Sequence, residues 1–600
     1  MAGMIRLLIG VLLLAELAVA QNAGGVEYTI DYQWPQEVCK GYVPAHAFLR
    51  NTTDRRREVE IVVSRGGGDV LEFETEIEPF GESEHELLIP IQASGYEAVL
   101  FKITVDGKAA SPSVIPFTAN SPPGGRKAIV LYGPSAGEAL DELGWRMDAD
   151  AKFAACSYPK RLPTRLAAYT SLDAFILDAS DELPNPEACA ALAGWVRSGG
   201  MMFVSGGDEA VQRVRESRHF EFTFEPRFED SRIPGMFRFG LGWVGALPAP
   251  TEDWARNRQF VSNTFAATSG GTDYMDFRHY HSGAVIPLDQ FGGTPFARIP
   301  KRGIAALLVL FALLIGPVNM ILVEKRSVPA MLLATIPGLS LLFTAGVLGY
   351  GIAAQGLDVK IDSKSVTVLD QRSDTVATRE HRRFFAGKAL KSGLLPGAMT
   401  AVLTANPGSG TLDASRRPVV RQTDSAIALE GGFTSVRIPI SQVVTTTGKS
   451  RLGLDFKVQA EPGGGYTYLV RNNLGVGLRY LWLVTESQEI VGGALPNDTT
   501  QDLRLLPLHV GTAGPDAQGD TTEHRERVAL SIKEWTSGSL GGIYPGETVA
   551  PGTYIAQIER GFGSPFLDLC GLDLEQSEMD NQHVVIGIVD LESLKPQEGR

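Results

Sequence analysis

The chain has 600 residues, too many for one hydrophobic core, and this length predicts roughly three to five folded units. Hydrophobic residues make up 44% and charged residues 21%, an ordinary balance for a globular chain. The formal net charge of −14, without any basic stripe, argues against nucleic acid as the main partner.

The first twenty residues have the pattern of an export signal. Arg6 precedes an apolar run from Leu7 to Leu14, and Ala18-Val19-Ala20 gives the small-x-small pattern of a cleavage site. We therefore predict a signal peptide over residues 1–20. Glu16 interrupts the pattern, so an uncut anchor is the alternative, and both place the following domain outside the cytoplasm.

Residues 26–118 have an all-β pattern. Val59–Val63, Val70–Ile77 and Leu87–Ile91 are short β-rich runs separated by turn formers. This pattern predicts an immunoglobulin-like β-sandwich.

Residues 126–300 alternate strands with helices, which indicates a parallel sheet of the flavodoxin-like kind. Asn185 and Pro186 are typical of a helix start, and that helix is predicted to end at Arg197. A strand over Phe237–Gly245 is expected to close the sheet. The other predicted elements are strands at Lys127–Tyr132, Ala151–Cys156, Ala174–Leu177 and Met201–Val204, and a helix at Gly137–Met147.

Three consecutive segments of this region carry a family resemblance. They are Leu172-Asp-Ala-Phe-Ile-Leu177, a helix ending Gly-Trp-Val-Arg-Ser-Gly-Gly, and then Met-Met-Phe-Val-Ser-Gly-Gly. Together they resemble the class I glutamine amidotransferase-like domain, in the non-catalytic version found in bacterial exported and membrane proteins. With Ile315-Gly-Pro-Val-Asn319 inside an apolar span, the layout is similar to a group of bacterial envelope proteins. The resemblance implies an architecture and no reaction.

The catalytic pattern of that family does not carry over. The family uses a cysteine at a tight strand-to-helix turn, activated by a histidine. The corresponding strand end here, Val204 to Asp208, holds no cysteine, and Cys156 and Cys189 precede it. Ser205 as a replacement nucleophile is an alternative, although Gly-x-Ser-x-Gly is absent.

The four cysteines are Cys39, Cys156, Cys189 and Cys570. None forms a CxxC pair, so the sequence does not support a zinc ribbon or a redox motif. A disulfide between Cys156 and Cys189 and a pair of small buried residues are both open interpretations.

The segment from 273 to 281 contains four potential metal ligands, Asp273, Asp276, His279 and His281. Carboxylates and imidazoles are ligands of divalent ions, and alternation would place His279 and His281 on one face of a strand. The spacing matches no named metal motif, so an aromatic-rich polar loop is favoured, and we predict neither a metal nor a cofactor.

Two uncharged apolar runs predict transmembrane helices over residues 303–323 and 328–354, each long enough to cross a bilayer. The segment Glu324–Ser327 is predicted to be a short loop between them. The signal peptide would place this loop in the cytoplasm and the regions on both sides of the hairpin outside it.

Residues 358–600 are again β-rich and predict a C-terminal β-sandwich region. Arg379 to Arg383 is a local basic run, predicted to be a solvated face, with contact to lipid headgroups as the alternative. Phe48-Leu-Arg-Asn51 and Tyr468-Leu-Val-Arg-Asn472 resemble each other, and each predicts a strand that ends in an asparagine turn. The candidate strands are Ser365–Leu369, Ala426–Leu429, Ser435–Ile440, Thr467–Val470 and Val584–Val589.

These observations favour a membrane-anchored binding or scaffold protein of the bacterial inner membrane, with large extracytoplasmic domains and no catalysis. Its expected partners are the membrane, an envelope protein or a carbohydrate. A cryptic envelope hydrolase or amidase, using Ser205 or the Asp273–His281 segment, is one alternative. An assembly factor of a membrane transport or secretion complex is another.

Overall fold

The computed structural model describes most of residues 21–595. The longest stretches outside the described residues are 135–152, 270–300, 406–418, 508–550 and 559–578. The predicted signal peptide over residues 1–20 and the predicted helix at Gly137–Met147 therefore lie outside them.

The first nine strands form two sheets that share one core. The strands are β1 (Gln21–Ala23), β2 (Val26–Asp31), β3 (Lys40–Asn51), β4 (Arg57–Arg65), β5 (Gly68–Ile77), β6 (Glu82–Gln92), β7 (Gly95–Val105), β8 (Lys108–Ala109) and β9 (Ser113–Ala119). One sheet has the order β1-β2-β3-β6, and the other contains β5-β4-β7-β8, with β9 also paired to β7. Val26, Tyr28 and Ile30 alternate inward along β2 and join Ile61 and Phe101 of the second sheet in the core.

The next region is a largely parallel sheet covered by helices. Its strands are β10 (Lys127–Tyr132), β11 (Phe153–Ser157), β12 (Ala174–Asp178), β13 (Met201–Ser205), β14 (Met236–Phe239) and β15 (Gly242–Ala246), and its helices are α1 (Pro186–Arg197), α2 (Gly207–Glu216) and α3 (Trp254–Ser269). The strand order is β11-β10-β12-β13-β15-β14, and only β14 is antiparallel. β12 and β13 are buried throughout, as expected for a sheet packed on both faces.

Helix α1 begins as predicted. The Asn185 side chain accepts a hydrogen bond from the Ala188 amide at 2.7 Å, and Pro186 is the first helical residue. Buried residues of α1 and α2 pack on one face of the sheet, while Val261 and Phe265 of α3 pack on the other.

The single strand predicted over Phe237–Gly245 is wrong, because the segment is the hairpin β14–β15. Gly240 makes the turn with φ of +64°. A Cβ atom there would lie 2.6 Å from the Arg197 carbonyl oxygen, so only glycine allows the hairpin to approach the end of α1 this closely.

After the apolar helices the chain is again β-rich. Its strands are β16 (Val359–Asp370), β17 (Thr375–Ala386), β18 (Thr400–Ala405), β19 (Val419–Gln422), β20 (Ile427–Glu430), β21 (Ile440–Lys449), β22 (Leu454–Ala460), β23 (Tyr466–Asn472), β24 (Leu478–Val484), β25 (Glu489–Gly492), β26 (Thr500–Leu503), β27 (Leu506–Pro507), β28 (Thr553–Ile558) and β29 (Met579–Ile588). Nine of them form a sheet in the order β18-β21-β17-β16-β29-β28-β24-β25-β27, and β22-β23-β26 form a second one. The predicted mixture of α/β and all-β regions with two apolar helices is confirmed at this level.

The basic run from Arg379 to Arg383 is not a solvated face, so that prediction is wrong. It lies on β17, between β16 and β21 near the middle of the nine-stranded sheet, and all twelve residues of β17 are buried. The Arg382 guanidinium is paired with Glu380 at 2.8 Å, and the Arg382 side chain has no exposed surface.

Two helical segments are long and apolar enough to cross a membrane, Arg302–Ile321 and Leu333–Ala353. The first comprises α4 (Lys301–Leu313), a π-helical turn at Leu314–Val318 and α5 (Asn319–Arg326); the second is α6 (Leu332–Gln355). The rings of Phe311 and Phe343 stack at 4.2 Å between them. Glu324 to Arg326 are helical, so the predicted loop at Glu324–Ser327 is wrong for these three residues.

The regions before and after these helices are joined to each other. β19 pairs in parallel with β5, so β19 and β20 extend the second N-terminal sheet. The Gln422 side chain accepts a hydrogen bond from the Leu88 amide at 3.0 Å and donates one to the Glu86 carbonyl oxygen. The Tyr42 hydroxyl donates to the Val402 carbonyl oxygen at 2.7 Å. The two regions therefore lie on the same side of any membrane that the helices cross.

The predicted asparagine turns are present at both positions. Asn51 ends β3 and Asn472 ends β23, and both side chains are fully buried. Each amide donates to the carbonyl oxygen four residues ahead and to two consecutive carbonyl oxygens on another segment. Each Oδ1 also accepts from the backbone amide two residues ahead. Two distant parts of the chain thus build the same strand end.

Candidate functional site

The carboxyl edge of the parallel sheet is the first candidate site. β11 lies on one side of β10 and β12 lies on the other, so the direction in which successive strands are added to the sheet reverses at β10. Ligands of open α/β sheets bind in the crevice at such a point. Asp178 and Ser205 end the neighbouring strands β12 and β13 and are paired in register.

The backbone at this edge packs tightly upon itself. Gly133, just after β10, has φ of +127°, and a Cβ there would lie 2.6 Å from both the Cβ and the carbonyl oxygen of Asp178. Gly206, after β13, has φ of +110°, and a Cβ there would lie 2.8 Å from that of Ala210. The two glycines let the turns close over Asp178, which is only 3% exposed.

Ser205, the replacement nucleophile considered from the sequence, ends β13 at the turn before α2. It is 1% exposed, and its Oγ atom has no hydrogen-bond partner among the described residues. An active serine needs a base within hydrogen-bond distance. Among the described residues, Ser205 therefore has no hydrogen-bonded base that would activate it.

The helix that follows Ser205 is poorly suited to bind an anion. α2 begins at Gly207, and its first turn carries Asp208 and Glu209. These carboxylates already offset the positive end of the helix dipole. Among the described residues of this edge, the start of α2 therefore lacks the features of a phosphate site.

The candidate metal ligands that the sequence suggested cannot be placed in the structure. Asp273, Asp276, His279 and His281 all lie outside the described residues. Within the described part, no group of three or more His, Cys, Asp or Glu residues could hold a metal ion.

Cys189 is a free, buried thiol. It donates to the Pro184 carbonyl oxygen at 3.3 Å, and burial raises its pKa to about 12. A thiol with so high a pKa is unreactive. Cys156 lies on β11, and its side chain is outside the described residues.

A second polar group lies inside the nine-stranded sheet. His583 of β29, Ser365 of β16 and Glu380 of β17 occupy one register row on three adjacent strands. Ser365 Oγ and His583 Nδ1 share a hydrogen bond, whereas the Glu380 carboxylate is paired with Arg382. Sequence reasoning missed this row because Ser365 and His583 are 218 positions apart.

The row contains the residue types of a catalytic triad but differs in its contacts. The carboxylate is bound to Arg382 and not to the imidazole, so it does not orient His583 as a triad acid does. Burial lowers the pKa of His583. With all three residues at most 4% exposed, the row forms a buried polar network in the sheet.

Three parts of the chain meet at Glu86 of β6. Its Oε2 atom accepts from the Thr164 amide at 3.3 Å, and its carbonyl oxygen accepts from Gln422. Desolvation raises the pKa of Glu86 to about 7, although Arg161 and Arg165 oppose the shift. In addition, Trp34 donates to Ser171 Oγ at 2.9 Å. The N-terminal sheets, the parallel sheet and β19 are thus held together by side-chain hydrogen bonds.

No family model matches this sequence, and no curated protein is similar to it. Among solved structures, an exo-chitosanase of Amycolatopsis orientalis, CsxA, aligns at 12% identity over 30% of this chain and 22% of its own, with a TM-score of 0.14. The yeast delta-COP-I mu-homology domain aligns at 10% identity over 39% of this chain and 96% of its own, with a TM-score of 0.16. The alpha-2-macroglobulin fragment of Escherichia coli aligns at 9% identity over 81% and 99%, with a TM-score of 0.13.

This chain spans 22% of the length of the exo-chitosanase. Similarities with TM-scores this low carry no conclusion about fold or function.

Proposed function

We propose that this protein is a membrane-anchored binding or scaffold protein of the bacterial inner membrane, without catalysis. In this proposal its two apolar helices form a transmembrane hairpin. The N-terminal sheets form an immunoglobulin-like β-sandwich, and the C-terminal region forms a second sandwich region. The parallel sheet is a flavodoxin-like domain of the non-catalytic amidotransferase-like type.

The joining of the two large regions across the apolar helices is the observation that carries the proposal. β19 adds to the sheet of β5, and Gln422 binds the backbone of β6. Such a body exposes surface from several modules to one compartment and holds them in fixed positions. A scaffold or a binding protein needs several surfaces held in fixed positions, whereas catalysis does not require this arrangement.

The compartment follows from the N-terminal pattern. A signal peptide at residues 1–20 would export the region that follows it, and the hairpin returns the C-terminal region to the same side. Both regions would then face the extracytoplasmic side.

Ser205 supports the non-catalytic part of the proposal, because it has no base in the described part of the chain. A hydrolase would need Ser205, or the Asp273–His281 segment, as its reacting group. Each of these hypotheses can be tested by removing one side chain.

The test combines two substitutions with purification from membranes. Deletion of the gene should change a measurable property of the cells. Cells that carry Ser205→Ala or His279→Ala should instead behave like the wild type. The C-terminally tagged protein, purified in mild detergent, should bring down a reproducible envelope partner. Loss of the wild-type phenotype in either variant, with normal protein level, would contradict the non-catalytic part of the proposal.

A further inference from the structure

Phe80 is an exposed aromatic residue in the turn between β5 and β6. It is 69% exposed. Among the described residues, the other large hydrophobic side chains with this degree of exposure all lie in the apolar helices, where a membrane would cover them. In the described part of the folded body, Phe80 is therefore a large apolar side chain whose position the packing of the fold does not explain.

The backbone of Phe80 has a conformation that phenylalanine rarely adopts. Its φ of +53° lies in the left-handed region, and the other described non-glycine residues with positive φ are Asp106 and Asp374. Aspartate tolerates this region because its short side chain bonds to the local backbone, whereas the Cβ atom of a bulky residue is crowded there. The exposed ring offsets little of this strain by packing. Strain of this kind is found at binding sites, where the surrounding structure enforces it.

The turn that carries Phe80 is held in place by hydrogen bonds. The Asn51 side chain donates to the Glu78 carbonyl oxygen at 3.0 Å, and the Asn51 amide donates to that of Gly81 at 2.9 Å. The Phe80 amide itself donates to the Thr53 carbonyl oxygen at 3.1 Å. The ring is thus presented from a fixed backbone, which lowers the entropy cost of binding a partner.

The second asparagine turn of this chain shows that such a turn does not require an aromatic residue. Its asparagine, Asn472, donates to the Pro496 carbonyl oxygen as the first asparagine donates to that of Glu78. The residue two positions further along the chain is Asp498 in the second turn and Phe80 in the first. The aromatic side chain is therefore an addition to a framework that forms without it.

Exposed ion pairs border this turn. In each group one arginine meets two glutamates, Arg56 with Glu76 and Glu78, and Arg50 with Glu27 and Glu82. Two guanidinium groups thus face four carboxylates, so the border has an excess of negative charge. An apolar centre within a charged border is typical of protein-binding surfaces. We name Phe80 and these six residues the Phe80 patch.

The surface next to the turn is concave. A depression of about 380 Å³ lies over the exposed face of β2, β3 and β6, and its lining includes Phe48, Arg50 and Glu82. A partner can place a side chain in this depression while Phe80 enters the partner. The contact area is then larger than a single projecting ring provides.

We propose that the Phe80 patch binds a second, different protein, which has an apolar pocket for Phe80 and basic residues around that pocket. This inference rests on the scaffold role proposed above and locates its interaction surface. The acidic border favours this occupant over two others. It would be repelled by the anionic surface of a membrane, and in a symmetric dimer it would meet the identical acidic border of a second copy.

The stability of Phe80→Asn tests whether the ring serves the fold. Asparagine adopts the left-handed conformation more readily than phenylalanine does. The purified full-length variant should therefore unfold at a temperature equal to or higher than that of the wild type. A clearly lower unfolding temperature would show that the ring stabilises the turn and would overturn the inference.

A photo-crosslinking amino acid at position 80 of the full-length chain, irradiated in intact membranes, identifies the occupant. We expect an adduct with one envelope protein, attached at a pocket of that protein with apolar walls and basic residues around it. The same amino acid at position 60, replacing the exposed Glu60 of β4, should not give this adduct. An adduct with lipid alone, an adduct with a second copy of this chain, or no adduct would overturn the inference.

Recovery of the crosslinked protein by the tagged chain measures how much Phe80 contributes. Phe80→Asn should lower the recovery about tenfold or more, because a buried aromatic anchor supplies much of the binding energy of an interface. Glu60→Ala should leave it unchanged. Equal recovery by Phe80→Asn and the wild type would overturn this inference and leave the scaffold role intact, whereas no recovered partner with the wild type would overturn both.

Discussion

Asn51 and Asn472 show how one buried side chain can fix a strand end. Each satisfies three carbonyl oxygens and one backbone amide in a place that water does not reach. Only an amide side chain has both the donors and the acceptor for this arrangement. The short sequence similarity that predicted the turns therefore reflects a chemical requirement.

Replacement of either asparagine by alanine should lower the free energy of unfolding of its region by about 2–4 kcal/mol, because buried carbonyl oxygens lose their donor. Aspartate should be worse than alanine, because it cannot donate and places a charge beside carbonyl oxygens. Thermal unfolding of purified variants measures this effect. Asn473→Ala, at the adjacent position, is the control, and an equal loss in that variant would contradict the account.

Glu86 should make stability depend on pH. Its folded-state pKa, about 7, lies above the ordinary value of 4.5, so folding favours the neutral carboxyl. The stabilisation is complete below about pH 4.5 and is lost as the pH rises through about 7, at a cost of up to ~3 kcal/mol.

Glu86→Gln should remove this dependence and make the protein more stable than the wild type at about pH 8. Unfolding temperatures of both proteins across this pH range provide the measurement. Glu60→Gln, at an exposed position on β4, should behave like the wild type. A Glu86→Gln protein with the wild-type pH profile would show that the carboxyl is not desolvated at this junction.

At the scale of elements, the sequence predicted those whose signals are local. The cap at Asn185 with Pro186 defined α1, and the apolar run Lys127–Tyr132 defined β10. The β14–β15 hairpin was missed because its turn depends on contact between Gly240 and Arg197, which no local pattern contains.

The buried charges of β17 were missed for a related reason. A run of arginines normally indicates a solvent-exposed segment. This run is buried only because β17 lies between β16 and β21. Candidate sites, like elements, were predictable from the sequence only where their signal was local. The position of Ser205 was predictable from its strand, whereas the His583–Ser365–Glu380 row needs tertiary structure to bring its residues together.

At the scale of the molecule, the apolar helices interrupt the chain without separating the fold. One hydrophobic core contains residues from Ala23 to Val444, so it includes chain from both sides of the helices. The Leu166 amide donates to the Ala398 carbonyl oxygen at 3.0 Å, a further link between the two sides. The molecule is organised as one folded body connected to a helical hairpin.

The pairing of β19 with β5 in the intact membrane tests this account most directly. Glu72 and Arg421 are register partners with side chains 3.1 Å apart, and both are partly exposed. In Glu72→Cys/Arg421→Cys, mild oxidation of membranes should form a disulfide, because strand partners have the required separation. Glu76→Cys/Arg421→Cys places the cysteines about 13 Å apart along the strand and should not crosslink. Absence of the first crosslink, with the two cysteines labelled by an impermeant reagent from opposite sides of the membrane, would contradict the account.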